Sequence, residues 1–292
     1  MFTSSLSLRI YELPPSSEQP ENATTANTKN KNRIPPIRVV ARAHEAPVHI
    51  CVADPTSTYL ASGSADGTVK VWHIVRGYVT HVFKGHGGVV SALTFSYPRN
   101  GKDDDVTAAV THQEKRTMRL VTASVDTRIR VFNLTEGAST SSGGGGKAEA
   151  VLEGHVSVPR GLDVSEDGRW LVSGGRDSVV LIWDLQEKST TKKGKGKLAL
   201  APTLVRTVPI LERVEAVGLI ASTPAGDLRF FTGGEKGVIK VWNGKGEVVQ
   251  QLGQEYTGAA SEELEEQRQI MNVMSVSFLL FYFILYSNLS GF

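Results

Sequence analysis

From residue 37 onward the chain alternates short runs rich in Val, Leu, Ile, Thr and Ser with turns marked by Asp-Gly, Asp-Pro and other glycine pairs. Apolar and polar side chains tend to alternate within the runs, and the runs are too short for helices, so they predict strands. The strands group in fours. A first unit has strands near 48–53, 58–63, 68–74 and 78–83, joined at Asp54-Pro55, Asp66-Gly67 and Arg76-Gly77. A second begins at Gly85-His86, with strands near 89–95, 117–123 and 128–134 and a charged insertion at 99–116. A third begins at Gly154-His155, with strands near 158–164, 169–174 and 179–185, an insertion at 186–201 and an outer strand near 203–208. The fourth has strands near 214–219, 228–233, 238–242 and 247–251, and Leu6–Tyr11 alternates as one further strand.

Four short strands to a unit, repeated, predict an all-β fold in which each small sheet packs on the next: a β-propeller. Polar residues recur at fixed intervals within it. His44 to Asp66 spans 22 residues, as does His155 to Asp177, and the Asp precedes Trp72 or Trp183 by six in both. The second unit keeps His86, and places Asp126 six before Phe132. A hydroxyl stands four residues before each Asp, at Ser62, Thr122 and Ser173. Ser, His and Asp together suggest a hydrolase, but catalysis needs one constellation whereas architecture needs one per sheet. The expected role is therefore an internal brace, in which Asp fixes His, His bonds the hydroxyl and the hydroxyl takes the indole N–H. Phe132 has no N–H, so the second brace should lack one link. The fourth unit departs most, with Lys236 at the Asp position and no initial His.

Composition narrows the chemistry. The chain is 40% apolar and 21% charged, an ordinary globular mixture, and a net charge of +2 does not by itself argue for nucleic acid. One cysteine, Cys51, cannot form an internal disulfide, and the opening residues have no secretory pattern, which together predict a reducing compartment. The sequons at Asn22, Asn133 and Asn288 are then chance matches. Gly143–Lys147 ends like a phosphate-binding loop, yet Ala148 follows where Ser or Thr should, and a flexible linker over 137–147 is the better reading. No His/Cys spacing suits a metal and no cofactor is implied. Lys192, Lys193, Lys195 and Lys197 form a basic loop that could meet RNA phosphates or simply be solvated.

The expected organisation is a remnant strand in 1–13, a flexible polar loop in 14–36, blades over 37–253, an acidic helical linker in 254–272 and a hydrophobic tail in 273–292. The apolar core of the tail, residues 273–286, would span ~21 Å as a helix, short of the ~30 Å hydrocarbon core. Two readings stand: a segment foreign to the fold, such as translated intron or an altered reading frame, which is favoured, and a C-terminal membrane anchor.

The intervals, with Gly-His at 85–86 and 154–155 and Trp183-Asp184, resemble a WD-repeat propeller. SLSLRIYEL, RAHEAPVHICVADPTSTYLASGSADGTVKVW, VTHVFKGHGGVVSALTF and LEGHVSVPRGLDVSEDGRWLVSGGRDSVVLIWDL go further, as does VEAVGL followed by GEKGVIKVW. They resemble the N-terminal propeller of the transducin-beta-like WD-repeat subunits of the small-subunit processome. The resemblance implies a non-catalytic scaffold in the nucleolus, acting in processing of the small-subunit ribosomal RNA precursor. Its partners would be other WD-repeat processome proteins, with small nucleolar ribonucleoprotein and pre-ribosomal RNA contacted directly or through proteins, and no membrane. The loops at 99–116 and 186–201 would carry contacts. It also implies four full four-stranded blades plus part of one more, in an incomplete seven-bladed ring with exposed blade faces. The alternative is a WD-repeat adaptor of a ubiquitin ligase or signalling complex; a membrane-anchored propeller is a third.

Overall fold

The computed structural model describes residues 6–11, 36–97, 118–135, 146–190, 197–222 and 228–253, and all their regular structure is β. β1 (Leu8–Tyr11) and β2 (Pro36–Val40) pair antiparallel, Leu8 opposite Val40. The first blade is β3 (Val48–Ala53), β4 (Tyr59–Ser64), β5 (Val69–His73) and β6 (Val79–Phe83). The second is β7 (Val90–Ser96), β8 (Arg119–Ser124), β9 (Ile129–Asn133) and β10 (Ala150–Leu152). In the third, β11 (Pro159–Val164), β12 (Trp170–Gly175) and β13 (Val179–Asp184) are followed by a hairpin of β14 (Glu187–Thr190) and β15 (Lys197–Leu200) before the outer strand β16 (Thr203–Pro209). β17 (Val214–Ser222), β18 (Leu228–Gly234), β19 (Ile239–Asn243) and β20 (Val248–Leu252) form the fourth.

Two elements differ from the sequence expectation. The 186–201 insertion is not only loop, since β14 and β15 pair from Glu187–Leu200 to Thr190–Lys197. Its apolar content is too low for a strand pattern to show. The short β10, which closes the second blade, follows a Ser/Gly-rich run that masks it in the sequence. The insertion at 99–116, most of the 14–36 loop and of the 137–147 linker, Lys192, Lys193 and Lys195, the linker at 254–272 and the tail at 273–292 lie outside the described residues.

The core lies between sheets rather than inside any one. One cluster joins Val69, Val71 and Phe83 of the first blade to Leu93, Leu120 and Phe132 of the second, and Phe83 stacks on Phe132 at 4.3 Å between centroids. A second joins Val121 and Val131 to Leu171 and Leu181, and a third joins Val172, Ile182 and Val208 to Val217, Phe230 and Trp242. Leu8 packs with Val48, Leu60 and Trp72, seating β1 against the first blade. Each fully buried Val, Leu or Phe contributes ~1.5–3 kcal/mol, so a blade derives much of its stability from its neighbours. Close approach sets one further residue type. A Cβ on Gly63 would lie 2.5 Å from Val90 Cγ1, and one on Gly174 2.5 Å from Val214 Cγ1, so the position after the buried hydroxyl must stay small.

Candidate functional site

The register places three residues side by side in every blade. Ser62 of β4 faces Lys70 of β5, Thr122 faces Arg130, Ser173 faces Leu181 and Thr232 faces Lys240. The ring two residues beyond the last of each pair is an indole that donates to the hydroxyl in three blades and Phe132 in the second. Above them, the tight turn between second and third strands ends on a left-handed residue: Gly67, Thr127, Ser178 and Gly237, with φ between 63° and 74°. In the first three blades the residue just before it is Asp66, Asp126 or Asp177, and in the fourth it is Lys236.

In the third blade the four residues form one chain. Trp183 Nε1 donates to Ser173 Oγ at 3.0 Å, Ser173 Oγ meets His155 Nε2 at 2.9 Å, and His155 Nδ1 meets Asp177 Oδ2 at 2.8 Å. The Asp177 carboxylate can only accept, so the neutral imidazole carries its proton on Nδ1, and its Nε2 accepts from the Ser173 hydroxyl, which itself accepts from the indole N–H. The backbone N–H of Val156 also donates to Asp177 Oδ2. Burial holds the His155 pKa below its ordinary value against the pull of Asp177.

The first blade keeps the lower half of this chain and changes the upper. Trp72 Nε1 donates to Ser62 Oγ at 2.8 Å, and Ser62 Oγ lies 2.7 Å from His44 Nε2. His44 Nδ1, however, meets Thr68 Oγ1 at 2.9 Å and stands 3.7 Å from Asp66, which instead accepts from the Thr68 hydroxyl and backbone N–H. The expected direct Asp66–His44 bond is therefore replaced by a relay through Thr68. Lys70 donates to the Ala43 carbonyl at 2.6 Å, close enough that burial and its charge together hold the His44 pKa down to about 4.

In the second blade the direction of the chain reverses. Arg130 Nη1 donates both to His86 Nδ1 at 2.6 Å and to Asp126 Oδ2 at 2.8 Å, leaving His86 3.6 Å from the Asp126 carboxylate. A guanidinium cannot accept, so Nδ1 is unprotonated and Nε2–H donates to Thr122 Oγ1, 2.7 Å away. Phe132 has no N–H, so this is the one side-chain donor that the Thr122 oxygen meets among the described residues. Here the expected Asp126–His86 bond yields to the stronger donor, and burial with the Arg130 charge lowers His86 to about 4. The fourth blade has no histidine: Trp242 Nε1 donates to Thr232 Oγ1 at 2.8 Å, and a buried Lys240–Glu212 pair at 2.9 Å stands near by.

The arrangement is unsuited to hydrolysis. Ser62, Thr122 and Ser173 have no exposed surface, so no substrate carbonyl can reach their oxygens. Burial pushes the Cys51 thiol up to about 12, leaving no thiolate nucleophile there. Among the described residues no cluster of His, Cys, Asp and Glu could hold a metal, and no helix is long and apolar enough to cross a membrane. Of the basic loop, Lys197 begins β15.

Thr68, Lys70, Arg130, Glu212 and Lys240 were not among the residues singled out from sequence. For Lys70, Arg130 and Lys240 the signal is the position two before the ring, and for Thr68 two after the Asp; Glu212, the partner of Lys240, has no such local signal. Asp163 also has no local signal in the sequence. It accepts from the Leu219 N–H at 2.8 Å, tying the third blade to the fourth, and burial raises its pKa to about 6. Tyr97 likewise donates to Asp54 at 2.7 Å across the first and second blades, and Ser91 to the Pro159 carbonyl at 2.6 Å across the second and third.

A sequence profile for the WD domain, G-beta repeat, matches residues 36–73 and 146–184. Transducin beta-like protein 3 of Bos taurus is 35% identical over 206 residues, covering 68% of this chain and 21% of that protein. U3 small nucleolar RNA-associated protein 13 of Saccharomyces cerevisiae is 30% identical over 196 residues, covering 65% and 20%. Nuclear distribution protein PAC1 of Coccidioides posadasii is 25% identical over 278 residues, covering 80% and 57%. The chain thus spans about a fifth of the length of the first two. Repeats of this spacing, folded into successive four-stranded sheets that bury their faces on one another, make the chain a WD-repeat β-propeller protein, similar over about two-thirds of its length to transducin beta-like protein 3.

Proposed function

We propose that the chain is a non-catalytic scaffold in ribosome biogenesis, acting as part of the small-subunit processome in the nucleolus during processing of the small-subunit ribosomal RNA precursor. The observation that carries this reading is the pair of relatives at 35% and 30% identity, one of them named for its association with U3 small nucleolar RNA. The buried hydroxyls support it from the side of chemistry, since the recurring Ser, His and Asp residues brace blades and leave the outer surface for partners. Those partners are other WD-repeat processome proteins and small nucleolar ribonucleoprotein, with pre-ribosomal RNA reached directly or through them. The braces themselves we assign to stability: His44, His86 and His155 satisfy hydroxyls that would be costly if left unpaired.

Purification of the tagged chain from its own cells tests the reading. Enrichment of U3 small nucleolar RNA together with WD-repeat processome proteins is the expected result. Recovery of nuclear-distribution proteins or of ubiquitin-ligase subunits, with U3 RNA at background, would overturn it.

A further inference from the structure

Blades three and four leave a cleft of about 460 Å³ at the end of their sheets away from the histidines. Its charged lining is Arg206, Arg229 and Lys245, and among the described lining residues there is no Asp or Glu. All three cations are exposed, and among the described residues none forms an ion pair with a carboxylate. Arg206 Nη1 donates to the Lys245 carbonyl at 2.9 Å, which bridges the two blades and fixes the guanidinium at the mouth. The wall is apolar, made by Trp170, Ile182 and Leu228, and continues onto the outer strands through Val205 and Val249, both about half exposed at 51% and 53%.

We infer that this cleft binds an acidic peptide segment of a partner protein, with an apolar side chain seated against the wall and carboxylates on Arg206, Arg229 and Lys245. The volume falls in the usual range for small-ligand and side-chain sites, ~300–1,000 Å³. Guanidinium groups match carboxylates with two parallel hydrogen bonds, which favours Asp or Glu next to the anchor. A single-stranded nucleic acid would also find the cations, but it binds by stacking bases on open aromatic faces. The one aromatic here offers little of that: the Arg169 guanidinium covers a face of Trp170 at 4.9 Å from its centroid and is itself held by Asp184 at 3.1 Å. The remaining wall is aliphatic, which suits a peptide anchor. The inference concerns a different surface from the braces and does not depend on the processome assignment.

Fluorescence anisotropy on the full chain tests it. The probes are labelled peptides of about twelve Glu and Ser residues carrying a central Leu, Phe or Trp, the same peptides with Gln for Glu, and an oligouridylate of similar length. At least one acidic peptide should bind, about tenfold or more tighter than its Gln counterpart, and weaken at ~0.3 M salt. Arg229→Glu alone should weaken that binding about tenfold while the thermal melt is unchanged, adding Arg206→Glu should abolish it with the fold kept and the melt lowered by a few degrees at most, and Lys245→Ala should weaken it severalfold. Equal binding of Glu and Gln peptides, no binding of any peptide, or tighter binding of oligouridylate with the same sensitivity to the two reversals would overturn the inference.

Discussion

The second and third blades carry the same residues at the ends of their polar chains, His and Asp, and wire them differently. In the third, Leu181 faces Ser173 and Val179 follows the turn, so Asp177 has no side chain to serve but His155, and the two meet at 2.8 Å. In the second, Arg130 takes the place of Leu181, enters between His86 and Asp126, and drives the imidazole into its other tautomer. The first blade is intermediate, with Lys70 at the Leu181 position and Thr68 as relay. The residue two before the ring and the residue two after the Asp therefore decide between them whether the carboxylate braces the histidine directly, through a threonine, or a neighbouring cation. A conserved-looking spacing specifies the positions of donors and acceptors, and the unremarkable residue beside them specifies who bonds whom.

The largest test is acid. His44 and His86 are held at about 4 in the fold against an ordinary 6.5, so between those values the unfolded chain binds more protons. Their contribution is full above pH 6.5 and lost as pH falls to 4, on the order of 2–3 kcal/mol each. His155 acts in the same direction. Asp163 opposes them: its raised pKa of about 6 means its burial cost is relieved as pH falls from 6 towards 3.8. Denaturant titrations at pH 7 and pH 4.5 should show a clear loss of stability, and Asp163→Asn should make that loss steeper. A flat profile would sink the account of the buried imidazoles.

Next in size is a contrast between carboxylates. Asp177 has a side chain only 2% exposed, whereas Asp66 is 18% exposed and not bonded to its histidine. Asp177→Ala should cost ~1–3 kcal/mol and Asp66→Ala no more than half as much, read from unfolding midpoints. Equal losses would mean the direct bond adds nothing. Arg130→Leu converts the second blade to the pattern of the third. It should let His86 and Asp126 pair, raising the His86 pKa from about 4 towards 6.5 in an NMR titration, at a cost of ~1 kcal/mol or less if the pair forms. The smallest effect concerns the turns. Thr127 is a β-branched residue at φ 65° where the first and fourth blades use Gly67 and Gly237. Thr127→Gly should raise stability by ~0.5–1 kcal/mol, whereas Gly67→Thr should lower it by at least as much.

Much of this molecule is written locally. Strand runs, the glycine-marked turns and the His, hydroxyl, Asp and ring intervals all depend on neighbours within about one repeat, and those led directly to successive four-stranded sheets. The short β10 and the β14–β15 hairpin were not legible, because strands of three or four residues in Gly-, Ser- or Lys-rich surroundings carry no periodic apolar signal. The candidate site divides in the same way. The sequence by itself determined which residues stand near one another in each blade: His44 with Ser62 and Trp72, His86 with Thr122, His155 with Ser173, Asp177 and Trp183. Only the tertiary structure decided the bonds among them, since whether Asp66 or Thr68 reaches His44 turns on differences of about an ångström. The cross-blade contacts, Asp163 to Leu219 and Tyr97 to Asp54, and the basic cleft between the third and fourth blades come from sheets packed face to face. Residues tens of positions apart are juxtaposed there by burial of apolar faces, which no local spacing records.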